Sequence, residues 1–100
     1  MDIAAFQTQM RTLYGDRDRR RGDARTFAWF AEEVGELSRA IFRGDHDDRV
    51  TEFSDVLAWL ASLADLTGVD LAEAAQRYAG GCPRCDAMPC RCDRDRPPRP

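Results

Sequence analysis

Five carboxylates in this chain have the spacing to act together: Glu32, Glu33 and Glu36 in one stretch, Glu52 and Asp55 in another. A helix turns about 100° per residue, so positions three or four apart stack on one face. Glu33 and Glu36 therefore share a face, as do Glu52 and Asp55, with Glu32 next around the cylinder. If the two helices are antiparallel neighbours, four or five carboxylates turn towards a common groove. Like charges at this spacing repel, and burying an ionised carboxylate is costly unless it is paired. A hard divalent cation resolves both problems. Oxygen donors with no His or Cys among them suit Mg²⁺ or Mn²⁺ rather than Zn²⁺. The same residues also allow a second reading, in which the acids form a solvated face paired with Arg39 and Arg43, and Glu52 merely favours the start of its helix.

The elements that must position these acids are expected to be helices. Helix formers at 3-4 spacing dominate residues 2–79, and strand-like alternation is absent. The first helix is expected from Asp2 to Tyr14, with Ile3, Phe6, Met10 and Leu13 on one face and Gly15 as its stop. A polar connector over residues 16–23 follows. The second helix, capped by Thr26 and ended by Gly44, carries Phe27, Phe30, Val34, Leu37 and Ile41. After a turn at residues 45–48, the third runs from Arg49 to Thr67 and is closed by Gly68. Its apolar arc of Phe53, Val56, Trp59, Leu60, Leu63, Ala64 and Leu66 encloses Glu52 and has Asp55 at its edge. A brief fourth helix opens with the capping-box pair Asp70 and Glu73, passes Leu71, Ala74, Ala75 and Tyr78, and ends at Gly80-Gly81. The expected fold class is all-α, a short antiparallel bundle of about four helices with an irregular Cys-rich tail. The expected organisation is a helical domain over residues 1–80, a four-cysteine tail over 81–92 and a disordered end over 93–100.

Composition narrows the class further. The 100 residues are 43% hydrophobic and 33% charged, which is ordinary for one water-soluble domain, and the net charge of −3 gives no global basic field for nucleic acid. No apolar run is long enough to cross a bilayer, and the N-terminus has no signal-peptide pattern, so the expected location is cytoplasmic. A domain this small buries little, which calls for help from a metal, from oligomerisation, or from both.

Glu32-Glu33-Val34-Gly35-Glu36 followed by Glu52-Phe53-Ser54-Asp55 resembles the E-E-x-x-E … E-x-x-D signature of the MazG-like nucleotide pyrophosphohydrolases, the all-α NTP pyrophosphatases. The runs from Asp55 to Leu60 and from Gly68 to Leu71 are also similar to that family. The resemblance implies hydrolysis of a nucleoside triphosphate between its α- and β-phosphates with Mg²⁺. By motif position it implies Glu33, Glu36, Glu52 and Asp55 as metal ligands. Glu32 would then stand behind them, or orient or deprotonate the attacking water. It further implies a homodimer or homotetramer. Such chemistry needs no covalent nucleophile, and none stands out: Ser54 and Ser62 lack a His partner, and His46, the sole histidine, falls in a turn.

Three further groups bear on the reading. Arginines of the connector, Arg20 and Arg21 among them, offer guanidinium forks to phosphate, although alternating Asp and Arg also describes a solvated, self-paired loop. Trp29 and Trp59 fall near the acids in register and could stack on a base, while Trp59 within its arc also reads as core. Cys82, Cys85, Cys90 and Cys92 have the spacing C-x2-C-x4-C-x-C. That spacing suits one structural Zn²⁺, with two local disulfides or free thiols as alternatives. Cys-rich ends of this kind resemble those of a subset of small MazG-like proteins. The first reading is thus a house-cleaning nucleotide hydrolase with Mg²⁺ (or Mn²⁺) and Zn²⁺, without membrane or nucleic-acid partners. The rival is a noncatalytic zinc-stabilised adaptor whose Arg84, Arg91, Arg94 and Arg96 contact a protein or nucleic acid. Glu52 separates them: Glu52→Leu should abolish turnover in a folded hydrolase, whereas in an adaptor it should be harmless or stabilising, as pyrophosphate release and thermal melts will tell.

Overall fold

The structure is a computed structural model that describes residues 1–93. Among these there are four helices and no strand: α1 (Ile3–Arg21), α2 (Asp23–Arg43), α3 (His46–Leu66) and α4 (Leu71–Gln76). The all-α expectation holds. Helix α3 is central, packing most extensively on α2 and then on α1, while α4 rests on α1. The residues from 94 on, most of the tail expected to be disordered and including Arg94 and Arg96, lie outside the described residues.

Helix α1 does not stop at Gly15. It continues through the supposed connector to Arg21, so the Asp- and Arg-rich segment is helix rather than loop. Glycine in a helix interior costs about 1 kcal/mol relative to alanine, too little to end a helix that has other support. That support comes from i,i+3 ion pairs, Asp16 with Arg19 and Asp18 with Arg21, and from three arginines in the last turn, where the helix dipole favours cations. The true stop is Gly22, whose φ of 82° only glycine adopts readily and whose N–H donates to the Asp18 carbonyl at 2.8 Å.

Gly22 also opens α2, so Thr26 is not the cap. Thr26 lies fully buried inside the first turn, where its hydroxyl donates to the Gly22 carbonyl (2.7 Å) and accepts from Arg21 Nη1 (3.3 Å). Helix α3 starts at His46, earlier than expected, because Asp45 and Asp48 form a capping box: the Asp45 side chain accepts from the Asp48 N–H, and the Asp48 side chain from the Asp45 N–H. The supposed turn is therefore a cap. At α4, the Asp70 side chain accepts from the Ala72 N–H (2.9 Å), but the helix ends at Gln76, before Tyr78.

One polar tie holds α1 to the α3–α4 turn. Buried Gln7 donates to Asp65 Oδ1 (2.9 Å) and to the Val69 carbonyl (2.8 Å), and its Oε1 accepts from the Leu71 N–H (2.9 Å). Arg11 pairs with the same Asp65 oxygen at 2.9 Å. Replacing Gln7 by Leu leaves the part-buried Val69 carbonyl and Leu71 N–H without their side-chain partner, a loss of about 0.5–1.5 kcal/mol per hydrogen bond. Thermal melts of Gln7→Leu should show a Tm lower by roughly 4–8 °C per kcal/mol lost for a domain of this size. An unchanged Tm would show that the tie is incidental.

Candidate active site

The short link between α2 and α3 makes them antiparallel neighbours, and one register runs along their contact. It sets Trp29 against Trp59, with ring centroids 6.1 Å apart and planes 12° from parallel. The same contact brings Glu33 of α2 to Glu52 and Asp55 of α3. Trp29, Glu33 and Glu36 on α2, and Glu52, Asp55 and Trp59 on α3, follow at three- or four-residue spacing, so the packing that pairs the tryptophans also draws the acids together.

Carboxylate oxygens of Glu33, Glu52 and Asp55 all lie within 4.8 Å of one another, each residue half-buried. Glu52 Oε2 is buried and has no hydrogen-bond partner. Burial first, then the charges of Asp55 and Glu52, pushes the Glu33 carboxyl above its ordinary value, with a contact to Glu52 and the charge of Glu36 adding to the effect. An orphaned buried carboxylate oxygen facing two further carboxylates is the environment a hard cation relieves. The oxygen-only donor set fits Mg²⁺ or Mn²⁺.

Glu36 and Glu32 stand differently. The Glu36 carboxylate is turned to Arg39, with Nη2 at 2.7 Å, which is the surface pairing the second reading of the acids had in view. Glu36 nevertheless sits one turn from Glu33 and acts on it electrostatically. Glu32 is exposed on the neighbouring face of α2.

Beside the acids opens a cleft of about 270 Å³, lined by Tyr14, Arg17, Asp18, Arg21, Asp55 and Trp59 among others. Asp55 belongs to both the acidic trio and this cleft. Arg21 is held by Asp18 at 2.9 Å, and its guanidinium lies 4.8 Å from the Trp59 ring centroid. Trp59 is thus half-buried between polar and aromatic neighbours instead of sitting in a core. Of the two arginines named from sequence, Arg21 lines the cleft, whereas Arg20 lies elsewhere on α1 beside Asp16 and Arg19. Arg17, one of the connector arginines offered to phosphate, also lines the cleft but from a helix instead of a loop, and sequence reasoning missed Tyr14, where it ended the first helix. The i,i+3 Asp–Arg pairs were the signal that the helix continues. A larger cleft of about 420 Å³ lies at the Gln7–Arg11–Asp65 tie and contains none of the acidic trio.

The four cysteines form a second cluster, with sulfurs within 4.8 Å of one another and no disulfide among them. Backbone N–H groups of Arg84 and Cys85 pull the Cys82 thiol down to about 6, while neighbouring cysteines, Cys90 first, push Cys92 up to about 12. No helix among the described residues is long and apolar enough to cross a membrane.

The described residues thus combine an all-α fold with three converging carboxylates beside an Arg- and Trp-lined cleft. Residues 21–80 match the MazG nucleotide pyrophosphohydrolase domain, and the chain belongs to that family. Among curated proteins, none matches it.

The Glu33 shift has a measurable sign. Its folded pKa is raised above 4.5, so the folded chain binds more protons than the unfolded one in the window just above that value. Stability of the metal-free protein should therefore fall as pH rises from 4.5 towards the raised value, then level off. Glu33→Gln should flatten that decline and stabilise the metal-free protein at neutral pH by a few tenths of a kcal/mol, roughly the scale of like-charge pairs, with a correspondingly raised Tm. Melts in EDTA across this range check it, and a decline that persists in Glu33→Gln would assign it to another group.

Proposed function

We propose that this chain is a Mg²⁺- or Mn²⁺-dependent nucleoside triphosphate pyrophosphohydrolase that converts an NTP or dNTP to the nucleoside monophosphate and pyrophosphate, a nucleotide-pool house-cleaning activity. The observation that carries the reading is the convergence of Glu33, Glu52 and Asp55 with one buried, partnerless carboxylate oxygen. Glu33, Glu52 and Asp55 would hold the cation, with Glu36 joining them on leaving Arg39. Bound there, the cation neutralises polyphosphate charge and polarises a phosphoryl oxygen.

The remaining work falls to the chain's own groups. Arg21 and Arg17 offer guanidinium forks to the phosphate oxygens, and Asp18 fixes the first of these in place. Trp59, already stacked on Trp29 and capped by the Arg21 guanidinium, lines the cleft wall against which the base would lie. Glu32, at the exposed edge, orients a water whose oxygen bonds to phosphorus as the α–β bridging P–O bond breaks. The water's proton passes to the carboxylate, and pyrophosphate departs. No step requires a serine, cysteine or histidine nucleophile.

The cleft lies just below the roughly 300–1,000 Å³ of typical small-molecule sites, which supports a site completed by a second copy of the chain. Exposed apolar side chains point the same way: Phe27, Trp29 and Phe42 on α2 and Phe53, Leu57 and Leu60 on α3 all face outwards. A homodimer or homotetramer buries them. The adaptor reading has no use for Glu52, whose buried oxygen is a liability without a cation.

The test is pyrophosphate release from a panel of ribo-, deoxy- and modified nucleoside triphosphates, with Mg²⁺ and with EDTA. Release should require Mg²⁺, fall at least about 100-fold in Glu52→Gln as expected when metal coordination is disturbed, and show a raised KM in Arg21→Ala. Silence across the panel from folded protein, or full activity in Glu52→Gln, would sink the reading. Light scattering on a size-exclusion column should give a dimer or tetramer, and a monomer at working concentrations would remove the shared-site argument.

A further inference from the structure

We propose that Cys82, Cys85, Cys90 and Cys92 bind one Zn²⁺ in a closed tetrahedral site that organises the segment after α4 and takes no part in catalysis. It stands independently of the hydrolase reading, since none of its atoms belongs to the acidic trio or the Arg-lined cleft.

Geometry carries the proposal. Four thiolates around a tetrahedral Zn²⁺ at about 2.3 Å stand about 3.8 Å from one another. All four sulfurs here lie within 4.8 Å of one another, and the Cys82 and Cys92 sulfurs are 3.7 Å apart. Four converging sulfurs make a coordination sphere, whereas two separate disulfides would need two pairs and no common centre.

The backbone around them is wound for ligation. The Cys82 N–H donates to the Ala87 carbonyl (3.1 Å) and the Asp86 N–H to the Cys82 carbonyl (2.7 Å), closing a tight loop over the first two cysteines. Asp86 takes a left-handed φ of 60°, which a non-glycine residue keeps only where its surroundings impose it. Gly81, at φ 119°, passes so close to the loop that a side chain there would stand 3.2 Å from the Ala87 and Asp86 carbonyl oxygens. Two amides serve the sulfurs directly: the Arg91 N–H donates to Cys85 Sγ at 3.3 Å and the Cys92 N–H to Cys90 Sγ at 3.2 Å. Such bonds orient ligands and spread thiolate charge, as outer contacts do at metal centres.

No apolar core explains this order. Met88, the one large apolar side chain between the second and third cysteines, is 75% exposed. Small segments that cannot bury enough surface use a metal in its place. Soft thiolates select Zn²⁺ over Mg²⁺, and four protein ligands leave no open position for substrate or water, so the site is structural.

Zinc content and spectroscopy of the full chain, purified under reducing conditions, test this. One zinc per chain is expected, lost in Cys85→Ser and in Cys90→Ser/Cys92→Ser, while helical circular dichroism is kept. Cobalt(II) in place of zinc should give the intense visible bands and sulfur-to-metal charge transfer of a tetrahedral thiolate site. All four thiols should react with Ellman's reagent only after chelation. The proposal is overturned by metal-free protein whose four thiols react at once, by two disulfides in non-reducing peptide mapping, or by zinc retained in both cysteine variants. Pyrophosphate release measured on the same samples separates the two readings: zinc-free variants that still hydrolyse with Mg²⁺ leave both standing, whereas inactive wild type with one thiolate-bound zinc removes only the hydrolase.

Discussion

Three carboxylates crowd the seam between α2 and α3, one of them with a buried oxygen that no hydrogen bond satisfies. Repulsion among them opposes the packing that brings them together, so other contacts along the seam have to outweigh it. At the loop end, the Asp45–Asp48 capping box fixes where α3 begins. At the far end, the Trp29–Trp59 stack sets the register. Either one slipping by a residue would turn Glu52 or Asp55 away from Glu33. The site is the place where the fold tolerates an unfavourable charge arrangement, as binding sites for cations do in the absence of their ion.

The rest of the core is thin. Among the described residues, the buried apolar side chains are Met10, Ala40, Ala61 and Ala64. Three of these four are alanines on α2 and α3, so little apolar volume is enclosed within the chain. The cost is that several large apolar residues of α2 and α3, Phe42 and Phe53 among them, stay more than half exposed.

What the sequence made legible was periodic. Glu33, Glu52 and Asp55 fall on facing helix stripes, so counting residues was enough to bring them together, and the four cysteines announce themselves by spacing. What it hid was tertiary or depended on weighing small energies. Gly15 reads as a stop, yet arginine–aspartate pairs and a basic last turn carry α1 past it, and only that extension brings Arg17 and Arg21 to Asp55 and Trp59. The Gln7–Asp65 bond spans most of the chain, and no local pattern signals it. Glu36 shares the motif stripe, but its rotamer is set by Arg39, a nearer and more exposed partner than the acids across the seam. Position on a helix face is readable from sequence; the direction in which a flexible carboxylate points is decided by competing partners.

The two donor sets of this chain are also kept apart in space and in chemistry. Zn²⁺ binds a generic divalent site more tightly than Mn²⁺ does, so carboxylates by themselves offer weak protection against the wrong ion. Sulfur and oxygen donors sort ions by softness, and no cysteine or histidine stands within the acidic trio to shift its preference. The sulfurs are gathered beyond α4, in a loop held by its own backbone hydrogen bonds. The acidic trio offers oxygen donors only and the tail cluster sulfur donors only, so each set by its chemistry would favour a different class of ion.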